Sequence, residues 1–371
     1  MAGDIRLPQP RALALVAAWR SFFCDASGSA ALPSARELDA LARDVLALQR
    51  GLTGERKLAG SGYMDSPGLL GAYLLYYWPV SWAQASRAIR RSGMAGALKG
   101  ARVLDLGSGP GPVAAAVLDA GAGSAFLVDR SEPALNLAAS LLGPALAGKA
   151  VMDLADKLDG LPGPFDLVTI GHALNELSGD QALDRRLAVF QNLVPVLAPG
   201  GRVLAMEPAT LAASRGLMEL RDALLSQGWS VLAPCVTQEP CPARAAGPQH
   251  SCHDEVPWTM PTTVAELARR AGLDRDLIKH SWMVFQAPGH APPPSFAYRV
   301  VSEQLVNKAG RARRLLCGQG GRFPLSAKLG DSAAAKTGFF SLERYDLIRV
   351  DGPEEREGGW GVSTNTSITR L

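Results

Sequence analysis

Residues 101–111 read ARVLDLGSGPG, a short apolar strand followed by a turn that contains three glycines. Glycine at Gly107, Gly109 and Gly111 lets the backbone adopt positive φ and lets a ligand approach the main chain closely. The Ala-rich stretch from Pro112 to Ala120 predicts a helix directly after the turn. A strand, a glycine turn and a helix in this order indicate the first unit of a parallel α/β sheet with a ligand site at its edge.

The alternation of strands and helices continues downstream of this turn. Strands are predicted at 124–130, 149–154, 165–174, 202–208 and 229–234, and helices at 133–142, 180–197 and 215–227. Short apolar runs separated by helical patterns are typical of a doubly wound sheet of parallel strands. We therefore predict an α/β fold for this part of the chain.

The glycine spacing departs from the dinucleotide fingerprint, whose third glycine comes three positions after the second. Pro112 occupies that position, and the third glycine comes one residue earlier. The loop resembles motif I of class I S-adenosylmethionine (SAM) methyltransferases instead. The resemblance implies a Rossmann-like fold and a SAM site. Three acidic residues and three glycines would then serve the cofactor: Asp129 at the ribose hydroxyls, Asp153 near the adenine, Asp105 at the loop or the amino group, and Gly107, Gly109 and Gly111 along the methionine and ribose.

Residues 171–176, GHALNE, follow the predicted fourth strand. Methyltransferases that act on exocyclic base amines carry an Asn/Asp-Pro-Pro-aromatic tetrad there, so its absence argues against that amine chemistry. His172 is a candidate base or cofactor contact, and Asn175 is a second catalytic candidate. Asn175 and Glu176 equally suit a structural role, in which they cap and brace the next helix.

Four of the five cysteines follow residue 234: Cys235, Cys241, Cys252 and Cys317. Four thiolates complete the coordination of a zinc ion or of an iron–sulfur cluster. A close CxxC pair and the three-cysteine radical-SAM pattern are both missing, which argues against a short zinc knuckle and against reductive cleavage of SAM. His250 and His253 offer further ligands that would favour zinc. Residues 235–261 have little periodicity, and we expect a metal to order them.

Changes in composition divide the chain into five segments. Helical spacing of Leu over 35–49, with Ser34 as N-cap, and an aromatic stretch over 69–90 mark the first segment as helical. The segments are a helical N-terminal region 1–100, a SAM-methyltransferase-like domain 101–234, a cysteine-rich metal-binding loop and linker 235–295, a basic β-rich module 296–350, and a poorly ordered tail 351–371.

Positive charge is concentrated in the predicted module. The chain has a formal net charge of +3, but Arg299 to Arg349 contain 10 Lys/Arg and 4 Asp/Glu. A basic module on a neutral body indicates a polyanion as partner, most simply RNA. We expect Arg311, Arg313 and Arg314 to contact phosphates.

Hydrophobic runs are too short for a membrane span, and Leu13 to Trp19 is too short for a convincing signal segment. The chain is therefore expected to be cytoplasmic, without membrane contact, and monomeric when free. In a reducing compartment, clustered cysteines are more often metal ligands than disulfides.

Several stretches together resemble one family over roughly residues 60–350: the helical N-terminal region, LDLGSGPG, GHALNEL, the PC…PCP…CH loop and the late LCG cysteine. It is the Rsm-twenty-two family, methyltransferase-like proteins of the mitochondrial small ribosomal subunit with bacterial relatives. The resemblance implies a [4Fe–4S] cluster on Cys235, Cys241, Cys252 and Cys317 and association with small-subunit rRNA during assembly. The family often has aromatic residues where this chain has Ser251 and Asp254.

Three hypotheses follow for the function. The first is an assembly factor of the small ribosomal subunit that binds rRNA, in which the SAM-type fold is a scaffold or a weak enzyme and the cluster fixes the β-rich module to the body. The second is an active rRNA methyltransferase that uses His172 or Asn175. The third is a zinc-containing methyltransferase of small molecules, which leaves the basic module without a purpose.

Overall fold

Two eight-stranded sheets and a layer of N-terminal helices make up the fold. The computed structural model describes residues 5–24, 31–54, 57–58, 60–290, 292 and 295–371. The helices are α1 Gln9–Phe23, α2 Ala35–Gln49, α3 Pro67–Ala72, α4 Trp78–Ser92, α5 Pro112–Asp119, α6 Glu132–Leu142, α7 Ala182–Leu193, α8 Leu211–Ser226, α9 Pro242–Ala245, α10 Thr262–Ala271 and α11 Ser332–Lys336.

The strands of the first sheet are β1 Arg102–Leu106, β2 Ser124–Asp129, β3 Leu146–Val151, β4 Phe165–Gly171, β5 Leu197–Pro208, β6 Ser230–Ala233, β7 Asp254–Pro257 and β8 Leu277–Gln286. Those of the second sheet are β9 Tyr298–Val300, β10 Leu305–Val306, β11 Arg311–Gly318, β12 Gly321–Lys328, β13 Leu347–Asp351, β14 Glu354–Arg356, β15 Gly359–Gly361 and β16 Ser367–Arg370.

The first sheet has the order β3-β2-β1-β4-β5-β8-β6, with β7 paired to β8. Strands β1 to β5 are parallel, and β8 runs antiparallel to β5, β6 and β7. This order confirms the predicted Rossmann-like sheet. Because parallel strands end at one edge, the residues that follow β1, β2 and β4 meet there. The glycine loop, Asp129 and His172 are consequently neighbours.

Strands β7 and β8 lie within residues 235–295, which were predicted to be a metal-binding loop and linker. That prediction is wrong for this part of the segment, because β8 occupies the sheet between β5 and β6. Its sequence, LIKHSWMVFQ, is almost wholly buried, as expected of an inner strand. The first sheet therefore extends to Gln286. Of the predicted linker 287–295, residues 291, 293 and 294 lie outside the described residues.

Of the N-terminal helices, α4 packs against β8 and α5, whereas α1 packs against α6 and α2 against α10. The predicted cap of α2 is confirmed, since Ser34 Oγ accepts from Glu37 N–H and the Glu37 carboxylate accepts from Ser34 N–H. Helix α4 carries Trp78, whose Nε1 donates to the Pro110 carbonyl at 2.9 Å. This bond fixes the helical layer against the glycine loop. Residues 1–4, 25–30, 55–56 and 59 of the predicted helical region lie outside the described residues.

The second sheet has the order β14-β15-β12-β11-β9-β13-β16, with β10 on β11, which confirms the β-rich module. The prediction that 351–371 is a poorly ordered tail is wrong. Strand β16 pairs with β13, and Trp360 on β15 packs edge-on against Phe323, with ring centroids 4.6 Å apart. Strands β14, β15 and β16 span at most four residues each, too short for a period-2 pattern to be recognised in a polar stretch.

None of the helices in the described ranges is long and apolar enough to cross a membrane.

Candidate functional site

A cavity of about 500 Å³ lies at the carboxyl edge of β1, β2 and β4. All but one of the residues predicted to serve a cofactor or catalysis line this cavity. They are Asp105, Gly107, Gly109, Asp129, Asp153, His172 and Asn175. The exception is Gly111, which begins α5 in the left-handed conformation. A volume of this size is in the range of small-molecule and cofactor sites.

The glycine loop needs glycine at its first two positions. Gly107 and Gly109 have φ of 69° and 51°, which side chains rarely adopt. A Cβ at Gly107 would lie 2.7 Å from the Ala173 Cβ, and one at Gly109 would lie 3.0 Å from the Met64 Cε. The backbone of this loop therefore forms one wall of the cavity.

The Asp129 carboxylate, at the end of β2, holds this loop in place. Its Oδ2 accepts from the Gly109 N–H at 2.7 Å and its Oδ1 from the Ser131 N–H at 2.8 Å. Burial raises the pKa of this carboxyl, and the two N–H donors oppose that rise. Each oxygen keeps a second lone pair, so the carboxylate can also accept bonds from a vicinal diol in the cavity.

Asp105 is buried at the end of β1 and joins three elements. Its carboxylate accepts from the Thr169 hydroxyl on β4 at 2.7 Å and from the Ala114 N–H of α5 at 3.1 Å. Burial raises the pKa of this carboxyl to about 7. These contacts hold β1, β4 and α5 together.

Asp153 follows β3, which ends at Val151 and thus earlier than the predicted strand 149–154. Its Oδ1 accepts from the Ala155 N–H at 3.0 Å. Asp153 and its neighbours Met152 and Leu154 line the cavity.

His172 follows β4 in the left-handed region, with φ of 62°. Its Nε2 lies 2.8 Å from Gln84 Oε1, and Gln84 Nε2 donates to the Lys279 carbonyl. Since that second bond orients the amide, Nε2 of the imidazole is the protonated nitrogen. Burial lowers the pKa of His172 to about 4. The ring is therefore neutral near pH 7 and is a weak base.

Asn175 braces the same loop. Its Nδ2 donates to the His172 carbonyl at 2.7 Å, and its N–H donates to Glu207 Oε1 at 3.2 Å. These contacts join Asn175 to the His172 backbone and to β5.

Residues 60–64 line the cavity, which the sequence did not predict. Arg130 donates to the carbonyls of Gly60 and Ser61, and the Ser131 hydroxyl donates to Asp65 at 2.7 Å. The rings of Tyr73 and Tyr77 stack at 5.6 Å and also line the cavity. The aromatic stretch was a visible signal for this wall, but nothing local linked residues 60–65 to β2.

Glu207, beneath the cavity at the end of β5, makes stability depend on pH. Its Oε2 is buried without a partner among the described residues, and burial raises its pKa to about 8, above about 4.3 in the unfolded chain. Between these values the folded state binds more protons, so the free energy of unfolding falls as pH rises. We expect the melting temperature of Glu207→Gln, measured relative to wild type, to rise from pH 5 to pH 8, because only wild type loses this contribution.

Glu132→Gln, an exposed change on α6, is the matched control for Glu207→Gln. Asp105 leaves some pH dependence in both variants, because its pKa is also raised. Identical pH profiles for the two variants would show that Glu207 is ionised in the folded state.

The four cysteines that follow residue 234 line a second, smaller cavity, together with residues of both the methyltransferase-like part and the β-rich module. Cys235 follows β6, Cys241 precedes α9, Cys252 precedes β7, and Cys317 lies on β11. All four line this cavity. The sequence separates Cys252 from Cys317 by 64 residues, and the docking of the module brings them together.

The four thiols surround a space and do not converge on a point. Within the residues that the structure describes, no three His, Cys, Asp or Glu side chains are grouped to hold one metal ion. A tetrahedral zinc site would need sulfur atoms about 3.8 Å apart, from Zn–S bonds of about 2.3 Å.

Burial favours the protonated form of three of the four thiols. Burial raises the pKa of Cys235 to about 12 and also raises the pKa values of Cys241 and Cys317. Neighbouring thiolates add to each rise, and the Arg221 guanidinium partly opposes it at Cys235. Metal coordination deprotonates such thiols, so the donor set is suited to a metal centre.

The loop that carries these cysteines is also ordered by protein contacts, which corrects the expectation that a metal alone would order it. Arg221 on α8 donates to the Thr237 carbonyl at 2.6 Å. Asp222 accepts from the Cys241 N–H at 3.0 Å. Ser214 Oγ exchanges hydrogen bonds with the N–H and carbonyl of Cys252, both at 3.0 Å. These α8 residues were missed because nothing in the sequence relates them to the loop.

The basic residues of the module divide between two faces of β11. On one face, Arg313 is exposed and Arg311 is partly exposed. In the strand register, Arg311 lies opposite Lys328 of β12. Arg314 is 8% exposed and points to the opposite face. The prediction that Arg314 contacts phosphate is therefore wrong, because alternate residues of a strand face opposite sides.

The chain is similar to one protein family and to solved methyltransferase structures. The family model described as mitochondrial small ribosomal subunit Rsm22 matches residues 71–326. The N-methyltransferase NodS from Bradyrhizobium japonicum, in complex with S-adenosyl-L-homocysteine, is 13% identical over 66% of this chain and 98% of that chain, with a TM-score of 0.36. A SAM-dependent methyltransferase from Leishmania major is 15% identical over 67% and 83%, with a TM-score of 0.39. No curated protein matches the sequence.

Proposed function

The chain belongs to the Rsm22 family of the mitochondrial small ribosomal subunit, and from this premise we propose that it is an rRNA-binding assembly factor of the small ribosomal subunit. One observation carries the proposal: cysteines from the methyltransferase-like body and from the basic module line a single cavity. A centre held by all four would fix the position of the module, and with it the basic face of β11.

The proposed centre is a [4Fe–4S] cluster held by Cys235, Cys241, Cys252 and Cys317. One feature supports it: all four cysteines line the same small cavity, which His253 also borders. When bound, the cluster supplies a cross-link between four thiolates. The chain already positions these ligands, since Ser214 holds Cys252 and Asp222 holds the Cys241 N–H.

We propose SAM as the ligand of the larger cavity. Asp129 would accept from the ribose hydroxyls, the backbone of Gly107 and Gly109 would contact the ribose and methionine, and Asp153 would lie near the adenine. The chain's own contribution to methyl transfer is small. His172 is neutral and donates to Gln84, and Asn175 braces the loop. A scaffold or a weak enzyme fits these residues best.

An active rRNA methyltransferase is the second candidate, and it is favoured by the open cofactor cavity of about 500 Å³. The zinc-containing small-molecule methyltransferase has less support, because no three candidate ligands within the described ranges are grouped for a single ion.

Arg311 and Arg313 are the proposed phosphate contacts. The described residues provide neither side chain with an ion-pair partner, unlike Arg349 and Arg356 of the same module, which pair with Asp351 and Glu354. Unpaired cations on one face of a hairpin suit a polyanion, since phosphate neutralisation releases condensed counterions.

RNA affinity tests this proposal. We expect Arg311→Ala/Arg313→Ala to weaken binding of small-subunit rRNA and to lower the slope of log K against log salt by about 2, about one for each lost phosphate contact. Filter binding at several salt concentrations measures both. The control Arg349→Ala/Arg356→Ala removes equal charge elsewhere in the module. Equal losses in the two double variants would show that only net charge matters, and unchanged binding in both would contradict the proposed surface.

A further inference from the structure

Tyr345 connects the β-rich module to the cysteine cavity. Its side chain is 1% exposed, and its hydroxyl lies 3.3 Å from the Cys252 Sγ. Cys252 belongs to the body, whereas Tyr345 precedes β13 of the module. The contact therefore crosses the boundary between the two sheets at a cysteine already proposed as a ligand.

The backbone at Tyr345 is in a costly conformation. Its φ is 68°, in the left-handed region where a bulky side chain is uncommon. Such a conformation persists only where the surroundings determine it. The Tyr345 N–H donates to the Val300 carbonyl at 2.7 Å, its carbonyl accepts from Arg299 at 2.8 Å, and its ring packs against Trp282.

The residues on either side of Tyr345 also contact the body. Arg344 Nε donates to the His253 carbonyl at 2.9 Å, and Asp346 accepts from Arg91 of α4 at 2.9 Å. Three consecutive residues thus join the module to the body. The middle one is turned by its positive φ so that its hydroxyl reaches a sulfur atom.

We propose that Tyr345 is a positioning residue of the cysteine site, whose hydroxyl donates a hydrogen bond to Cys252 Sγ when that sulfur is a metal ligand. The inference rests on the proposed function in one respect, that Cys252 binds a metal. A ligated thiolate carries no proton, so the tyrosine hydroxyl is the donor. Outer hydrogen bonds of this kind orient ligands and retain metals, and hydrogen bonds to sulfur help set the reduction potentials of iron–sulfur clusters.

Tyr345→Phe tests this assignment, because it removes the hydroxyl and keeps the ring that packs on Trp282. Tyr298→Phe is the matched control: the same change in the same module, in an aromatic cluster with Phe323 and Trp360. The full chain is purified anaerobically for each variant. The rate at which its metal is lost to a chelator is then measured, together with the visible spectrum and, where iron–sulfur is present, the reduction potential.

We expect Tyr345→Phe to lose its metal several-fold faster than wild type, and its cluster to show a more negative reduction potential, while Tyr298→Phe matches wild type. Equal rates and potentials in all three proteins would overturn the inference while leaving the proposed cluster intact. Zinc in place of iron, with faster loss in Tyr345→Phe alone, would overturn the proposed cluster and support the inference. A wild-type chain that holds no metal would overturn both.

Discussion

Cys317→Ser is expected to lose most of the bound metal and to release the β-rich module from the body. Cys317 is the only cysteine of the four that the module contributes, so its loss removes the proposed metal cross-link and leaves only direct contacts such as those of Arg344 and Asp346 with the body. Binding free energy at structural metal sites of small domains is about 10–16 kcal/mol, far more than surface ion pairs such as Arg91–Glu343 supply. Serine is close in size to cysteine, so packing changes little.

Metal content, limited proteolysis between Gln286 and Tyr298, and rRNA affinity measure the effects of Cys317→Ser. We expect low metal content, faster cleavage and weaker RNA binding together. Cys24→Ser is the matched control, since Cys24 packs with the N-terminal helices, away from the cavity. A Cys317→Ser protein with full metal content and wild-type RNA affinity would show that the module is held by its hydrogen bonds alone.

Asp129→Ala is expected to weaken SAM binding by about 100-fold or more. The change removes the acceptor proposed for the ribose hydroxyls and leaves the Gly109 and Ser131 N–H groups without their partner. Hydrogen bonds to a charged group contribute about 1.5–3 kcal/mol each, and each 1.4 kcal/mol changes the dissociation constant tenfold. Isothermal titration calorimetry with SAM and with S-adenosylhomocysteine measures the loss.

Asp184→Ala, an exposed change in the first turn of α7, serves as the control for Asp129→Ala. We expect it to bind SAM as wild type does. If wild type itself binds neither ligand, the cavity is a remnant and the chain acts as a scaffold. If Asp129→Ala binds as tightly as wild type, the assignment of Asp129 to the ribose is wrong.

The part of the cofactor cavity that sequence predicts is the part encoded locally. A strand, three glycines and a helix within twenty residues define the loop, and parallel pairing then determines that Asp129 and His172 lie beside it. The hydrogen bonds that decide the roles of these two residues could not be predicted from the sequence. Gln84, which sets the tautomer of His172, lies 88 residues away, and no local pattern relates the two.

Strand β8 shows a different limit. Its apolar run is compatible with a buried strand, but its neighbours in the chain are rich in Pro, Gly and Cys, and they obscured it. Strand β16 was not predicted because its sequence, SITR, carries almost no hydrophobic signal. Its order comes from pairing with β13. Tertiary context decides short strands of this kind.

The cysteine site could be predicted only in part from the sequence. The residue type alone indicated a metal centre, yet no spacing rule joins Cys317 to a segment 64 residues earlier, and the resemblance to a family supplied that link. Neither the residue types nor the resemblance indicated that Tyr345, Ser214 and Arg221 surround the site. The structure also shows that Arg314 is buried whereas Arg311 is partly exposed.

The central claim, a [4Fe–4S] cluster that joins the module to the body, is tested most directly by metal analysis of the wild-type arm of the Cys317→Ser experiment. Anaerobically purified protein is assayed for iron, acid-labile sulfide and zinc. We expect a brown protein with about four iron and about four sulfide per chain, most of which Cys317→Ser loses. A colourless wild-type protein with about one zinc per chain and no sulfide would contradict the claim.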